Sequence, residues 1–231
     1  MKLSMISALA CASTLGLAAG AAQAAVTFVG YQTALNPGES LVTSFEGGPT
    51  LGGAAFGRPG YSLGGSAVLF TGSTGFSAAP ATSATTRDAT QYLSVQAGQT
   101  ATLDTPLLDS ISFYVGSLDG YNSFTFKLAD GSTQVVTGSV LDALPGLDAN
   151  GNQTAFTTNG RLTFSFGSAI DGVTLASGGN SLEVSDVGAV DAVGVVPEAA
   201  TWALMILGFG GVGGLMRRRR AAGGAMNSSW T

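Results

Sequence analysis

An all-β fold, an antiparallel β-sandwich, is what the sequence predicts for the 172 residues from Ala25 to Val196. Three observations carry the prediction. Large apolar residues alternate with small or polar ones in Ile111, Phe113 and Val115, in Phe124, Phe126 and Leu128, and in Leu162, Phe164 and Phe166; this is the period of two of strands with one face on a core. Turn dipeptides recur at Asp119-Gly120, Asp130-Gly131, Asn150-Gly151, Asn159-Gly160, Asp171-Gly172 and Gly178-Gly179, and Asp-Gly and Asn-Gly suit the positive φ of tight hairpins. No apolar stretch in this region has helical period and length.

Taken in order, strand composition marks residues 26–31 and 41–45. Residues 49–86 are rich in Gly, Ala, Ser and Thr with few large apolar residues, which predicts a long loop region interrupted by one strand, 67–71, around Phe70. Strands follow at 91–96, 99–105, 110–116, 123–128, 133–138, 161–166, 173–176 and 181–187. Eleven short strands with this punctuation fit a jelly-roll-like sandwich. No repeat of fixed period appears, which argues against a solenoid or propeller.

The two ends of the chain read as addresses. Lys2, the uncharged apolar run from Leu3, and Ala22-Gln23-Ala24 before Ala25 form a secretory signal peptide over residues 1–24, with small residues at the two positions that the cleaving enzyme reads. Ala25 is then the mature N-terminus, and Sec export is implied. Residues 199–216 carry no charge and precede Arg217-Arg218-Arg219-Arg220. As a helix that stretch rises ~27 Å at ~1.5 Å per residue, enough to span a bilayer, and the arginines act as a stop-transfer flank that stays on the cytoplasmic side. Ahead of it, Pro197 cannot donate a backbone hydrogen bond and holds Val196 extended. Trp202 suits a membrane interface. Residues 221–231 read as a disordered tail.

Pro197-Glu198, Trp202-Ala203, the glycine-rich LMILGFGGVGGLM and the arginine cluster together resemble the PEP-CTERM sorting signal in its PEPxxWA variant, over residues 197–220. Ala199 departs from it, standing where the family has its second proline, as does the extension past the arginines. The resemblance implies recognition by exosortase, cleavage near Pro197 and Glu198, an inner-membrane-anchored intermediate, and release to the cell surface or matrix. Residues 111–122 and Glu183-Val184-Ser185-Asp186-Val187 also resemble segments of surface proteins bearing such tails, whose ectodomains are jelly-roll-like; Val187 stands where those proteins often have Asn.

Composition narrows the chemistry. There is no His, and the one Cys, Cys11, lies inside the signal peptide, so histidine bases, thiol nucleophiles, disulfides and thiolate metal sites are excluded from the mature chain. Residues 25–196 hold four basic residues (Arg58, Arg87, Lys127, Arg161) against 13 acidic ones, a net charge of −9, which disfavours nucleic acid. Glu46, Asp104, Asp119, Glu183 and Asp186 are the candidate carboxylates for a glycoside hydrolase, which needs a pair; turns explain several of them, and no catalytic residue or enzyme activity is expected.

Asp148-Ala149-Asn150-Gly151-Asn152 resembles the start of a calcium loop. Gln153 replaces the glycine such a loop needs and Asn159 its bidentate Glu, so a turn is the preferred reading and no metal or cofactor is expected. Tyr61, Tyr92, Tyr114 and Tyr121 are the rings available for stacking on sugars, whereas Thr82, Thr85, Thr86 and Thr90 lack the regular spacing of an ice-binding array. The expectation is a structural or adhesive surface protein associated with exopolysaccharide. A lectin-like or calcium-dependent carbohydrate-binding module is the alternative.

Overall fold

Alternation places one face of each strand on a core, and the pairing shows how those faces meet. The computed structural model describes residues 24–46 and 59–192, together with Leu207 and Phe209, which are helical and exposed. The chain divides into two units, Met1–Ala192 and Val193–Thr231. Pro197, Glu198, Trp202, Ala203, the four arginines and Ala22 lie outside the described residues; among the described residues no helix is long and apolar enough to cross a membrane. Ala25 opens the first strand, paired with Ser165.

Ten antiparallel strands and one short helix make up the described part: β1 Ala25–Gly30, β2 Ser40–Thr43, β3 Ser62–Gly65, β4 Val68–Thr71, β5 Gln91–Val95, β6 Thr100–Gly116, β7 Asn122–Leu128, β8 Thr133–Thr137, α1 Gly138–Leu141, β9 Gly160–Ser177 and β10 Leu182–Asp191. Two strands are far longer than expected. The segments 99–105 and 110–116 are one strand, β6, and 161–166 and 173–176 are one strand, β9. The reason is bulging. Pro106 offers no N–H to a ladder, and the register of β6 against β9 shifts between Asp104 and Leu108 and again before Ser110, so each strand bends instead of ending. Asp171-Gly172, expected as a turn, accordingly lies inside β9.

Because β6 and β9 bend, each serves two layers. In one layer β4, β5, β10, the second half of β6, the first half of β9 and β1 lie in that order, with β2 beside β10. In the other, β3, the first half of β6, the second half of β9, β7 and β8 follow one another. The inner faces meet through aromatic rings: Phe124 of β7 lies 5.6 Å from Phe113 and 5.1 Å from Phe164, and Phe126 lies 4.7 Å from Phe164. These are favourable tilted ring contacts, and the result is a β-sandwich. The 49–86 region holds β3 as well as β4, a strand the composition did not reveal. The Asp130-Gly131 turn closes the β7–β8 hairpin as expected, with Gly131 at φ +84 and Asp130 Oδ1 accepting from the Ser132 N–H at 2.8 Å.

Candidate functional site

The other face of the first layer carries the polar residues that alternate with the core, and it is covered. Arg161 of β9 is wholly buried there. It pairs with Asp186 of β10 and donates to the carbonyls of Thr33 (2.8 Å) and Ala34 (2.9 Å) and to Ser112 Oγ (3.0 Å). These bonds tie the β1–β2 connection onto the sheet. Burial pushes the Asp186 carboxyl above its ordinary value while Arg161 opposes the shift, as desolvation and an opposite charge should. Tyr114 donates to the Ala81 carbonyl at 2.6 Å and Tyr92 to that of Gly72 at 2.9 Å, so residues 72–81 lie over the same face. Desolvation raises both phenols.

Glu183 sits where this polar layer reaches the end of the sandwich. Its side chain is 1% exposed and four donors reach it: Ser117 Oγ at 2.7 Å, the Ala78 N–H at 3.0 Å, Ser77 Oγ at 3.2 Å and Ser181 Oγ. Desolvation raises its pKa, and the four hydrogen bonds oppose it. Opposite it in the ladder stands Ser94 of β5, whose buried hydroxyl has no hydrogen-bond partner among the described residues.

Glu183 floors a polar cavity of about 100 Å³ whose lining comes from four segments, among them Phe76, Ser117, Asp119, Gln153 and Asn180. Phe76 is 65% exposed on this wall. Tyr121, 44% exposed, stands beside it with its hydroxyl 2.7 Å from Asp119 Oδ2 and 2.9 Å from the Asn180 carbonyl oxygen. Burial raises the Asp119 carboxyl despite the Tyr121 hydroxyl. Gly151, at φ +70, lies where a Cβ would meet Asp119 Oδ1 at 2.4 Å, so only glycine fits.

The walls are tied by one buried side chain. The Asn159 amide oxygen accepts from the N–H of Ala81 (3.0 Å) and of Ser117 (3.1 Å), and its Nδ2 donates to the carbonyls of Asn152 (3.1 Å) and Ala155 (3.0 Å). Ser117 itself is held at φ +36, a conformation unfavourable for a residue with a Cβ.

Of the candidate carboxylates, Asp119 and Glu183 come together in this cavity. Asp186 is spent on Arg161. Asp104 lies on the other layer, where Ser62 Oγ donates to it at 3.2 Å, and Glu46 is exposed past β2. Tyr61, Tyr92 and Tyr114 are corrected: they are buried, with relative exposures of 2%, 0% and 0%, and only Tyr121 of the four offers a ring. The loop from Asp148 to Asn152 pairs Asn150 with Asp119 and closes the cavity wall; among the described residues no group of three metal-ligating side chains gathers. Sequence reasoning missed Phe76, Asn180 and the three serines. The usable signal was Glu183 itself, an acid set between Leu182 and Val184 in β10.

No family model matches the chain, and no curated protein matches it. Solved structures do: CpGH89CBM32-6 produced by Clostridium perfringens, at 10% identity, 59% of this chain, 97% of that one and a TM-score of 0.33; a family 32 carbohydrate-binding module from Clostridium perfringens NanJ in complex with galactose, at 12%, 54%, 92% and 0.29; and a carbohydrate-binding module from Cellvibrio mixtus lichenase 5A in complex with cellotriose, at 19%, 55%, 87% and 0.26. At these scores the likeness carries no argument about this chain's site or ligand.

Proposed function

We propose that this chain is an exported surface protein, sorted and cleaved by exosortase at Pro197-Glu198, whose jelly-roll-like sandwich serves a structural or adhesive role by holding exopolysaccharide. Sec export follows from residues 1–24 and sorting from residues 197–220. One observation carries the binding: a preformed polar cavity with two exposed rings, Phe76 and Tyr121, at its side. Sugars present apolar CH faces and hydroxyl edges, and a ring beside convergent amide, carboxylate and hydroxyl groups meets both.

Holding fits the site better than hydrolysis. Glu183 is almost fully buried and its acceptor sites are taken by four donors, so it is anchored as a wall and is poorly placed to pass a proton to a glycosidic oxygen. The cavity also stands at the start of β10, and Asp191 ends that strand ~26 Å further on at ~3.3 Å per residue.

The test has two readings. Intact mass of the protein from surface and medium should show a species from Ala25 to the neighbourhood of Pro197; retention of Arg217 to Thr231 in every fraction refutes the sorting. Electrophoresis through gels containing the host exopolysaccharide should retard the protein, with Tyr121→Ala and Phe76→Ala each weakening retention about tenfold, the equivalent of ~1.4 kcal/mol. Unchanged retention in both variants refutes the site.

A further inference from the structure

The cavity described above is selective by charge, and we propose that its ligand is a hexosamine bearing a free, protonated amino group, bound with that ammonium against Asp119. The inference rests on the carbohydrate reading of the same cavity and adds the class of sugar.

The ionisable side chains on the cavity walls are both carboxylates, Asp119 and Glu183. Glu183 is committed to its four donors, whereas Asp119 is half-buried, with the Tyr121 hydroxyl at Oδ2 and no hydrogen bond to Oδ1 among the described residues. Oδ1, which lies against the Cβ-less Gly151, thus keeps its acceptor capacity at a half-buried carboxylate beside an exposed ring. An ammonium donates three hydrogen bonds, and a charge-assisted one to a carboxylate is about twice as strong as a neutral one. The Asn180 carbonyl oxygen, already 2.9 Å from the Tyr121 hydroxyl, adds a second acceptor on the same side.

Among the described residues the cations already have partners, and of them only Arg87 reaches a residue of the cavity wall, Gln153. Arg161 is buried against Asp186, Lys127 pairs with Asp171 on the other layer at 2.9 Å, and Arg87 donates to the carbonyls of Ala79 and Gln153 at 2.9 and 3.0 Å. A uronate or sulfated sugar entering the cavity would therefore lose water and meet two carboxylates. The net charge of −9 over residues 25–196 acts in the same sense at longer range, concentrating cationic polymer and repelling anionic polymer.

The experiment compares three probes by calorimetry on the full chain in mild detergent at low ionic strength: fully de-N-acetylated glucosamine oligomers, N-acetylglucosamine oligomers of equal length, and galacturonic acid oligomers. The free amine should bind about tenfold tighter than the N-acetylated form and the uronate least. Asp119→Asn should weaken binding of the amine oligomer about tenfold, so that its advantage over the N-acetylated form disappears. Should that variant fold poorly, the wild-type preference must still shrink as salt rises toward 0.5 M, because Coulombic selectivity is screened. Equal or tighter binding of the N-acetylated or uronic oligomer, or a preference indifferent to salt, overturns the inference but leaves a carbohydrate site. Failure of all three probes to bind overturns the carbohydrate reading and this inference with it.

Discussion

Replacing Glu183 by leucine and by glutamine separates a buried anchor from a spare surface acid. Four donors converge on the carboxylate, but two have other recourse: Ser181 Oγ also lies 3.1 Å from the Phe76 carbonyl, and Ser77 Oγ is within 3.2 Å of the Tyr92 hydroxyl. The Ala78 N–H and the Ser117 hydroxyl have Glu183 as their acceptor, and Glu183→Leu orphans both. At ~1–3 kcal/mol for each buried donor left unpaired, less what is regained by no longer desolvating a carboxylate, the loss is about 3 kcal/mol. Glu183→Gln retains an oxygen for the three donors to Oε1, and the Ser117 hydroxyl can turn to accept from the new amide, so about 1 kcal/mol is lost.

Urea unfolding followed by near-ultraviolet circular dichroism of the buried tyrosines measures both. The pH dependence has a definite sign. Glu183 titrates above its ordinary value of 4.5 in the fold because burial disfavours its charge. Its contribution to stability is therefore full below that ordinary value and is lost as pH rises through the raised one. The advantage of wild type over Glu183→Gln should shrink as pH rises from 4.5 toward neutrality. A Glu183→Leu variant within 1 kcal/mol of wild type, or a Gln variant as damaged as the Leu variant, would falsify the assignment of Glu183 as the anchor of residues 77–78 and 117.

Two more outcomes follow from the same layer. Arg161→Met should cost about 3–5 kcal/mol by leaving Asp186 without its cation, whereas the double change Arg161→Met with Asp186→Leu should recover most of that loss; a urea double-mutant cycle in which the two losses simply add would contradict the pairing. Gly179→Ala places a Cβ 2.7 Å from Tyr121 Cζ, so the ring must swing from its position; polysaccharide retention should drop several-fold while the unfolding free energy changes by less than ~1 kcal/mol, since the atom displaced is the far end of a side chain.

How much of this was legible in the sequence follows from what each feature depends on. Strand β7, the second half of β6 and the first half of β9 were visible because their alternation is local. The continuity of β6 through Pro106 was not, because it is settled by the bulged register with β9 and β10, strands far away in the chain. β3 escaped because Ser-Leu-Gly-Gly holds one large apolar side chain, Leu63; its place is earned by pairing with β6. The tyrosines misled for a related reason. Tyr92 and Tyr114 do alternate away from the core, as period two requires, but alternation says nothing of the connections that then cover that face. Asp119 and Glu183 stood out as acids, while the serines that define the role of Glu183 come from three separate connections.

The covering of that outer face explains why a cavity can exist at this end of the sandwich. An uncovered sheet is a flat surface, and depth here is made by residues 72–81, 117–121, 150–153 and 178–181 closing around Glu183. Connections of this kind would ordinarily move. Here the carboxylate of Glu183 fixes the first two and the start of β10, and the Asn159 amide fixes the first three. That arrangement carries two costs, a desolvated carboxylate and a positive φ at Ser117, both met on folding, before any ligand arrives. A wall already ordered loses little further entropy on binding, which gives a shallow, partly exposed site a route to useful affinity for a repeating polymer.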